Sequence, residues 1–229
     1  MTDRSLTAFM SEHIAEPRWR RLPEERPKQI LDAALAVFAE RGLAAARLDD
    51  IAKLAGVSKG TIYLYFANKE DLFRGVVRST VIAFIEQSEA EFEAERDPRR
   101  ALETWMEGHW TWIRSATYPA ISRLVASELR DFPDLHAFYA TEVVGRAQRL
   151  ICDILERGMQ DGVFRRIEPL VAARMLSALF ATHGTWYHQR NSFKSIANIG
   201  DDVLLAQIRD FFFHAMRPDD ERTIPHAES

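Results

Sequence analysis

The sequence predicts an all-α protein, and three observations carry that expectation. Apolar residues recur at spacings of three and four along most of the chain. No alternating apolar and polar run competes with them, and prolines or glycines stand where the periodic stretches end.

The elements follow in order. Residues 1–26 mix charge and proline with few apolar side chains and read as an N-terminal arm. Its cluster Arg18, Trp19, Arg20 and Arg21 is either a solvated charge run or an insert for a DNA minor groove, and Trp19 has the alternative of packing on the body. A first amphipathic helix carries Ile30, Leu31, Ala34, Leu35 and Phe38 and reaches Gly42. The run from Ile51 to Leu72 then reads as two short helices, a glycine turn and the start of a third helix. Ile51, Ala52, Leu54 and Ala55 supply an apolar face, Gly56 supplies the positive φ of a tight turn, and Val57 plugs the small core. Ser58 caps the next helix, which opens on Lys59, Gly60 and Thr61; Asn68 caps a further one, with Asp71 at its third position. Two helices joined in this way form a helix-turn-helix.

Beyond Asn68, Leu72, Phe73, Val76, Val77, Val81, Phe84 and Ile85 mark one long connecting helix that fades before Asp97-Pro98. Further helices are expected over 98–116, 119–130, 134–160, 168–190 and 201–216, separated by Tyr118-Pro119, Phe132-Pro133, Asp161-Gly162 and the polar run after Asn191.

Composition sets bounds. With 229 residues, 47% of them apolar, the chain can bury a sizeable core. Charges interrupt the longest apolar stretches before the ~20 residues a membrane span needs, and no signal-peptide pattern opens the chain, so a cytoplasmic location without membrane contact is the expectation. Cys152 is the single cysteine and reads as a buried thiol. A net charge of −4 argues against a protein coated in nucleic acid but leaves room for a local basic face. An enzyme finds little support. There is no Gly-x-Ser-x-Gly elbow, no phosphate-cradling glycine loop and no His-Glu-x-x-His; His183 and His188 are five apart and splay on a helix, and the seven histidines are scattered, so neither a metal site nor a cofactor is expected.

The ordered set Asp50-Ile51-Ala52, Ala55-Gly56-Val57-Ser58, Lys59-Gly60-Thr61, Tyr63, Tyr65-Phe66 and Asn68-Lys69-Glu70 resembles the tetracycline-repressor (TetR) family of bacterial transcription regulators. The resemblance spans residues 27–77 and is weak beyond. It implies an N-terminal three-helix DNA-binding domain over 27–75, joined by a long helix to a helical effector-binding and dimerisation domain over 76–217, with a tail over 218–229. It also places 58–66 in the major groove of a double-stranded operator. On that reading Lys59 reaches a guanine edge or a phosphate, Gly60 allows close approach, and Thr61 bonds a phosphate or base. Tyr63 and Tyr65 address phosphate oxygens, Leu64 touches a thymine methyl if it faces the groove, and Lys69 adds an ammonium beside free N–H groups. Ser58 belongs to the same contact set. Ile62 and Phe66 are expected in the core, with one of the two tyrosines a candidate to join them. Ala46 and Arg47 depart from the threonine or serine common there, so Arg47 is a candidate replacement for the lost phosphate contact.

For the second domain the resemblance implies a small-molecule effector, and Trp105, His109, Trp112, Phe138, Phe180 and His183 are the candidate contacts, suited to a flat, lipophilic or weakly cationic molecule. It also implies a homodimer built on the last two long helices, for which Leu176, Leu179, Leu204, Ile208, Phe211 and Phe212 are the candidates, and hence a palindromic or near-palindromic operator. The stretch 128–135 resembles a segment of a branch that includes regulators of drug efflux. Together these expectations describe a repressor released by its effector; the alternative is a DNA-bound protein that acts through a protein partner.

Overall fold

The computed structural model describes residues 25–192, 194 and 199–218, and every regular element among them is helical. The arginine-rich arm with Trp19 and the tail from residue 219 lie outside the described residues. Three helices build the N-terminal unit: α1 (Glu25–Ala45), α2 (Leu48–Ala55) and α3 (Lys59–Tyr63). Ile30, Ala34 and Phe38 of α1 are fully buried, with Leu31 and Leu35 packed at the edge. Ile51 and Ile62 complete the centre of this core, and Phe66 closes one side. Each fully buried isoleucine or phenylalanine of this set stabilises the fold by about 1.5–3 kcal/mol.

Helix ends follow local chemistry. Gly56 terminates α2 in the left-handed conformation (φ 66°), as its missing Cβ permits. The Ser58 hydroxyl accepts from the Thr61 N–H at 3.0 Å and starts α3. At α4 (Lys69–Val77) a reciprocal cap forms: Asn68 Oδ1 accepts from the Asp71 N–H at 2.7 Å, and Asp71 Oδ2 accepts from the Ala67 N–H at 3.1 Å. Leu54, expected on the buried face of α2, instead stands 58% exposed, because the α1 contact of this short helix is made through Ile51 and Ala52.

The connecting helix is continuous but not uniform. A π-helical turn, Arg78–Ile82, separates α4 from α5 (Ala83–Ala94). The buried pairs step from Leu72/Phe73 to Val76/Val77 by four and then to Val81/Ile82 by five, which is the register of the extra residue. Both the Ser79 and Thr80 hydroxyls donate to the Val76 carbonyl, at 3.1 and 2.7 Å.

Asp97 caps α6 (Pro98–Arg114) by accepting from Arg99 N–H at 2.9 Å. α7 (Tyr118–Ser127) then stops three residues short of its expected end, and a 3-10 turn, Leu129–Asp131, leads to α8 (Pro133–Tyr139). The helix expected over 134–160 contains a second π-helical turn, Ala140–Gly145, before α9 (Arg146–Gln160). α10 (Pro169–His188) and α11 (Asp201–Ala215) complete the chain.

Two cores result. One joins the N-terminal unit to α4, α7 and α8 through Ile121, Leu124, Leu129 and Leu135. The other lies among α6, α9, α10 and α11 and includes Trp105, Ile154, Phe180 and Phe212. Arg146 ties α9 to α5 by a paired contact with Glu89 at 2.5 and 2.7 Å, and Arg157 donates to the Glu95 carbonyl at 2.8 Å.

Candidate DNA interface and regulatory site

The end of α3 projects outward from the single buried residue Ile62. Leu64 is 81% exposed, and Tyr63 and Tyr65 are both exposed, so neither tyrosine joins the core. Burying Ile62 and packing Phe66 turns the residues between them to solvent. Lys59 Nζ lies 3.0 Å from Asp49 Oδ2, and that hydrogen bond raises the lysine pKa. The partner is itself exposed, so the pair is open to exchange for a stronger anion. Ser58 Oγ and Thr61 Oγ1 are 2.8 Å apart at the same helix start. A Cβ added at Gly60 would meet only Ser58 Oγ, at 3.7 Å, so packing within the protein does not require glycine there.

Arg47 is exposed at the N-cap of α2 and makes no side-chain cap bond. Asp50, in the first turn, is paired with Arg41. Lys69 is partly buried, and its ammonium donates to the carbonyls of Ala44 at 2.7 Å and Ala46 at 3.4 Å. This engagement at the end of α1 has no signature in the local sequence, because the acceptors are backbone oxygens more than twenty residues away.

Among the effector candidates, Trp105, His109 and Phe180 meet directly. Trp105 stacks on His109 with centroids 4.8 Å apart, and Phe180 presents its ring edge-on to both, at 5.5 and 5.3 Å. Trp112 joins through Phe84, stacked 6.2 Å away, and Phe84 also lies 6.2 Å from His109. Burial among these rings lowers the His109 pKa to about 4, although part of the residue reaches the surface. His183 lies one turn beyond Phe180, against Trp186, and burial lowers its pKa as well. Phe138 stands apart, in the first core, with the Arg78 guanidinium 5.4 Å from its ring centroid.

Residues that the sequence does not mark as effector contacts complete the setting. Phe84 bridges the two aromatic groups, Tyr118 stacks on His188 at 5.4 Å, and the Trp110 indole N–H is buried without a hydrogen-bond partner among the described residues. Phe84 reads as an ordinary helix-core position, and nothing in its spacing distinguishes it.

Three of the dimer candidates require correction. Leu176 is fully buried, and Ile208 and Phe212 nearly so, all within the core of their own chain; Leu179 and Leu204 pack partly against it. The apolar stripe of each helix turns inward because α10 packs on α6 and α9, and α11 on α6. Phe211, 65% exposed, is the candidate that faces solvent, and sequence reasoning missed its exposed companions Val171, Met175, Trp186 and Val203.

Residues 30–76 match the model for bacterial regulatory proteins of the tetR family, and residues 93–192 match that for the C-terminal domain of AefR-like transcriptional repressors. The chain is also 30% identical over 163 residues to the HTH-type transcriptional regulator AcrR of Shigella flexneri, a span covering 68% of each protein. The chain belongs to the TetR family of transcription regulators. Across this TetR-family chain, identity to the fatty acid metabolism regulator protein of Bacillus subtilis is 29% over 180 residues, or 77% of the chain and 92% of that relative. The fold is shared with FadR of Bacillus subtilis, solved with stearoyl-CoA, at a TM-score of 0.67 and 23% identity over 83% of the chain and 99% of that structure. TetR-family relatives of this kind are DNA-binding regulators rather than enzymes. No helix among the described residues is long and apolar enough to cross a membrane.

Proposed function

We propose that this TetR-family chain is a homodimeric repressor, released from a palindromic or near-palindromic operator when a lipophilic or aromatic small molecule binds beside Trp105, His109 and Phe180. The observation that carries the reading is the outward face of α3, where Lys59, Tyr63, Leu64 and Tyr65 stand exposed around a glycine that internal packing does not demand. Such a surface suits close approach to base edges and phosphates, with Arg47 and Lys69 as flanking cations.

A dimer is supported by the exposed apolar residues Val171, Met175, Val203 and Phe211 on the last two helices. Two copies placed one turn of DNA apart set the symmetry of the operator. Aromatic walls around a neutral imidazole suit an apolar or flat effector, and the acyl-CoA complex of a structural neighbour makes a long acyl chain a natural first probe. The effector acts only by preferring one arrangement of the reading helices over another. Control of efflux or transport genes, and a cytoplasmic location, accord with this reading.

Fluorescence anisotropy on the DNA upstream of its own gene, on fragments selected from genomic DNA and on scrambled controls tests it, with stearoyl-CoA and a panel of aromatic compounds added in turn. Specific binding relieved by one class supports the proposal. Equal, weak binding to every fragment overturns it.

A further inference from the structure

At Gly42 the backbone leaves helical geometry (φ 79°, ψ 167°), which breaks the hydrogen-bond ladder of α1 one turn before its end. The amides this break leaves open are taken up from another part of the molecule. Glu128, at the C-terminus of α7, accepts from the N–H of Leu43 at 2.5 Å and of Ala44 at 3.1 Å. Position 42 is fitted to this contact, because a Cβ there would collide with the Glu128 carboxylate. The carbonyls at the same helix end are held by Lys69, which donates to Ala44 and Ala46. The turn passes directly into Arg47 and α2.

We propose that Glu128 is a positioning residue for operator binding: from the regulatory domain it grips the turn between α1 and α2, and so sets the attitude of the reading helices and of the cations Arg47 and Lys69. The inference rests on the operator reading above. Ala44 is exposed, so water would satisfy its amide if only the helix end needed a partner. What the carboxylate adds is a charge-assisted tie between segments more than eighty residues apart, at the point where α7 meets α1. A shift of α7 by about 1 Å stretches these bonds beyond their working range of roughly 2.7–3.2 Å. The turn then keeps the Lys69 contacts, its own Ala46 N–H to Gly42 carbonyl bond and the packing of Leu43 and Ala46, but loses its tie to α7.

The test uses the full chain and an operator fragment that the wild-type protein enriches from genomic DNA. Glu128→Ala should lower operator affinity about tenfold, and Glu128→Gln, which keeps the shape and loses the charge, about threefold, as loss of a charge-assisted bond implies. The slope of affinity against salt should stay unchanged, since no phosphate contact is removed. Hydrogen exchange at the Leu43 and Ala44 amides should accelerate in both variants. Faster exchange with wild-type operator affinity would reduce Glu128 to a structural staple, and a flattened salt slope would make its effect a direct one on DNA; either result overturns the proposal. Should Glu128→Ala fail to fold, Glu128→Gln carries the same comparison. Failure of the wild-type protein to enrich any fragment would sink the operator reading itself, whereas wild-type-like variants sink only the role of Glu128.

Discussion

Lys59 and His109 show how the surroundings of one side chain decide its use. Lys59 stands 3.0 Å from Asp49, so binding DNA exchanges one anion for another. Lys59→Ala should therefore reduce the salt slope of DNA binding by about one and relax base preference, while Asp49→Asn should tighten binding a few-fold at low salt. Anisotropy titrations between low and physiological salt check both, and an Asp49→Asn protein that binds no more tightly than wild type would contradict the exchange. His109 is held neutral, its pKa lowered from 6.5 to about 4 by burial. The unfolded chain then binds a proton that the folded chain refuses, so stability is full above pH 6.5 and falls as pH drops towards 4. The expected loss at pH 5 is about 2 kcal/mol. Urea unfolding of the wild type and of His109→Phe at pH 7 and pH 5 measures it, the variant losing less. The imidazole is visible in the sequence as a candidate, but its neutral state is not, since that depends on Phe84 and Phe180 arriving from two other helices.

At the scale of elements, the caps and turns were readable because they are local. Ser58, Asn68 with Asp71, and Gly56 act within four residues of themselves, and the structure uses each as its spacing suggests. Arg47 is the exception among these helix starts, with no side-chain cap on α2. Arg47→Thr should restore a capping hydroxyl and raise stability by about 1 kcal/mol, yet weaken binding to all DNA sequences alike through the lost charge. A thermal melt and a non-specific DNA titration read the two effects separately. The π turn at Arg78–Ile82 is also written in the sequence, as a step of five between the apolar pairs Val76/Val77 and Val81/Ile82, although Val81 alone fits a regular helix equally well. Leu54 misled for the opposite reason: helical spacing places it on a face, and only the position of α1 decides whether that face is covered.

For the molecule as a whole, the order and approximate extent of the helices followed from periodicity and punctuation, while their partners did not. An apolar stripe says that a helix is covered, not by what. Leu176, Ile208 and Phe212 carry the expected stripe and spend it on their own chain's core, whereas Met175 and Phe211 remain outside. Met175→Glu and Phe211→Asp should therefore shift a dimer towards monomer and abolish tight operator binding while leaving the helical signal intact. Sedimentation and circular dichroism on the same samples decide this, and a dimer that survives both changes would move the interface elsewhere. The π turn has a consequence at this scale. One residue of α-helix corresponds to about 100° of rotation about the axis. The π turn absorbs the extra residue between Val77 and Ala83, so Val81 and Ile82 keep the buried face of Val76 and Val77 while α4 packs on α1 and α5 on α6 and α9. Wound as regular α-helix, the same residues would swing the head about its stem by that angle, so the aim of the reading head on DNA is written in helix winding as much as in side-chain chemistry.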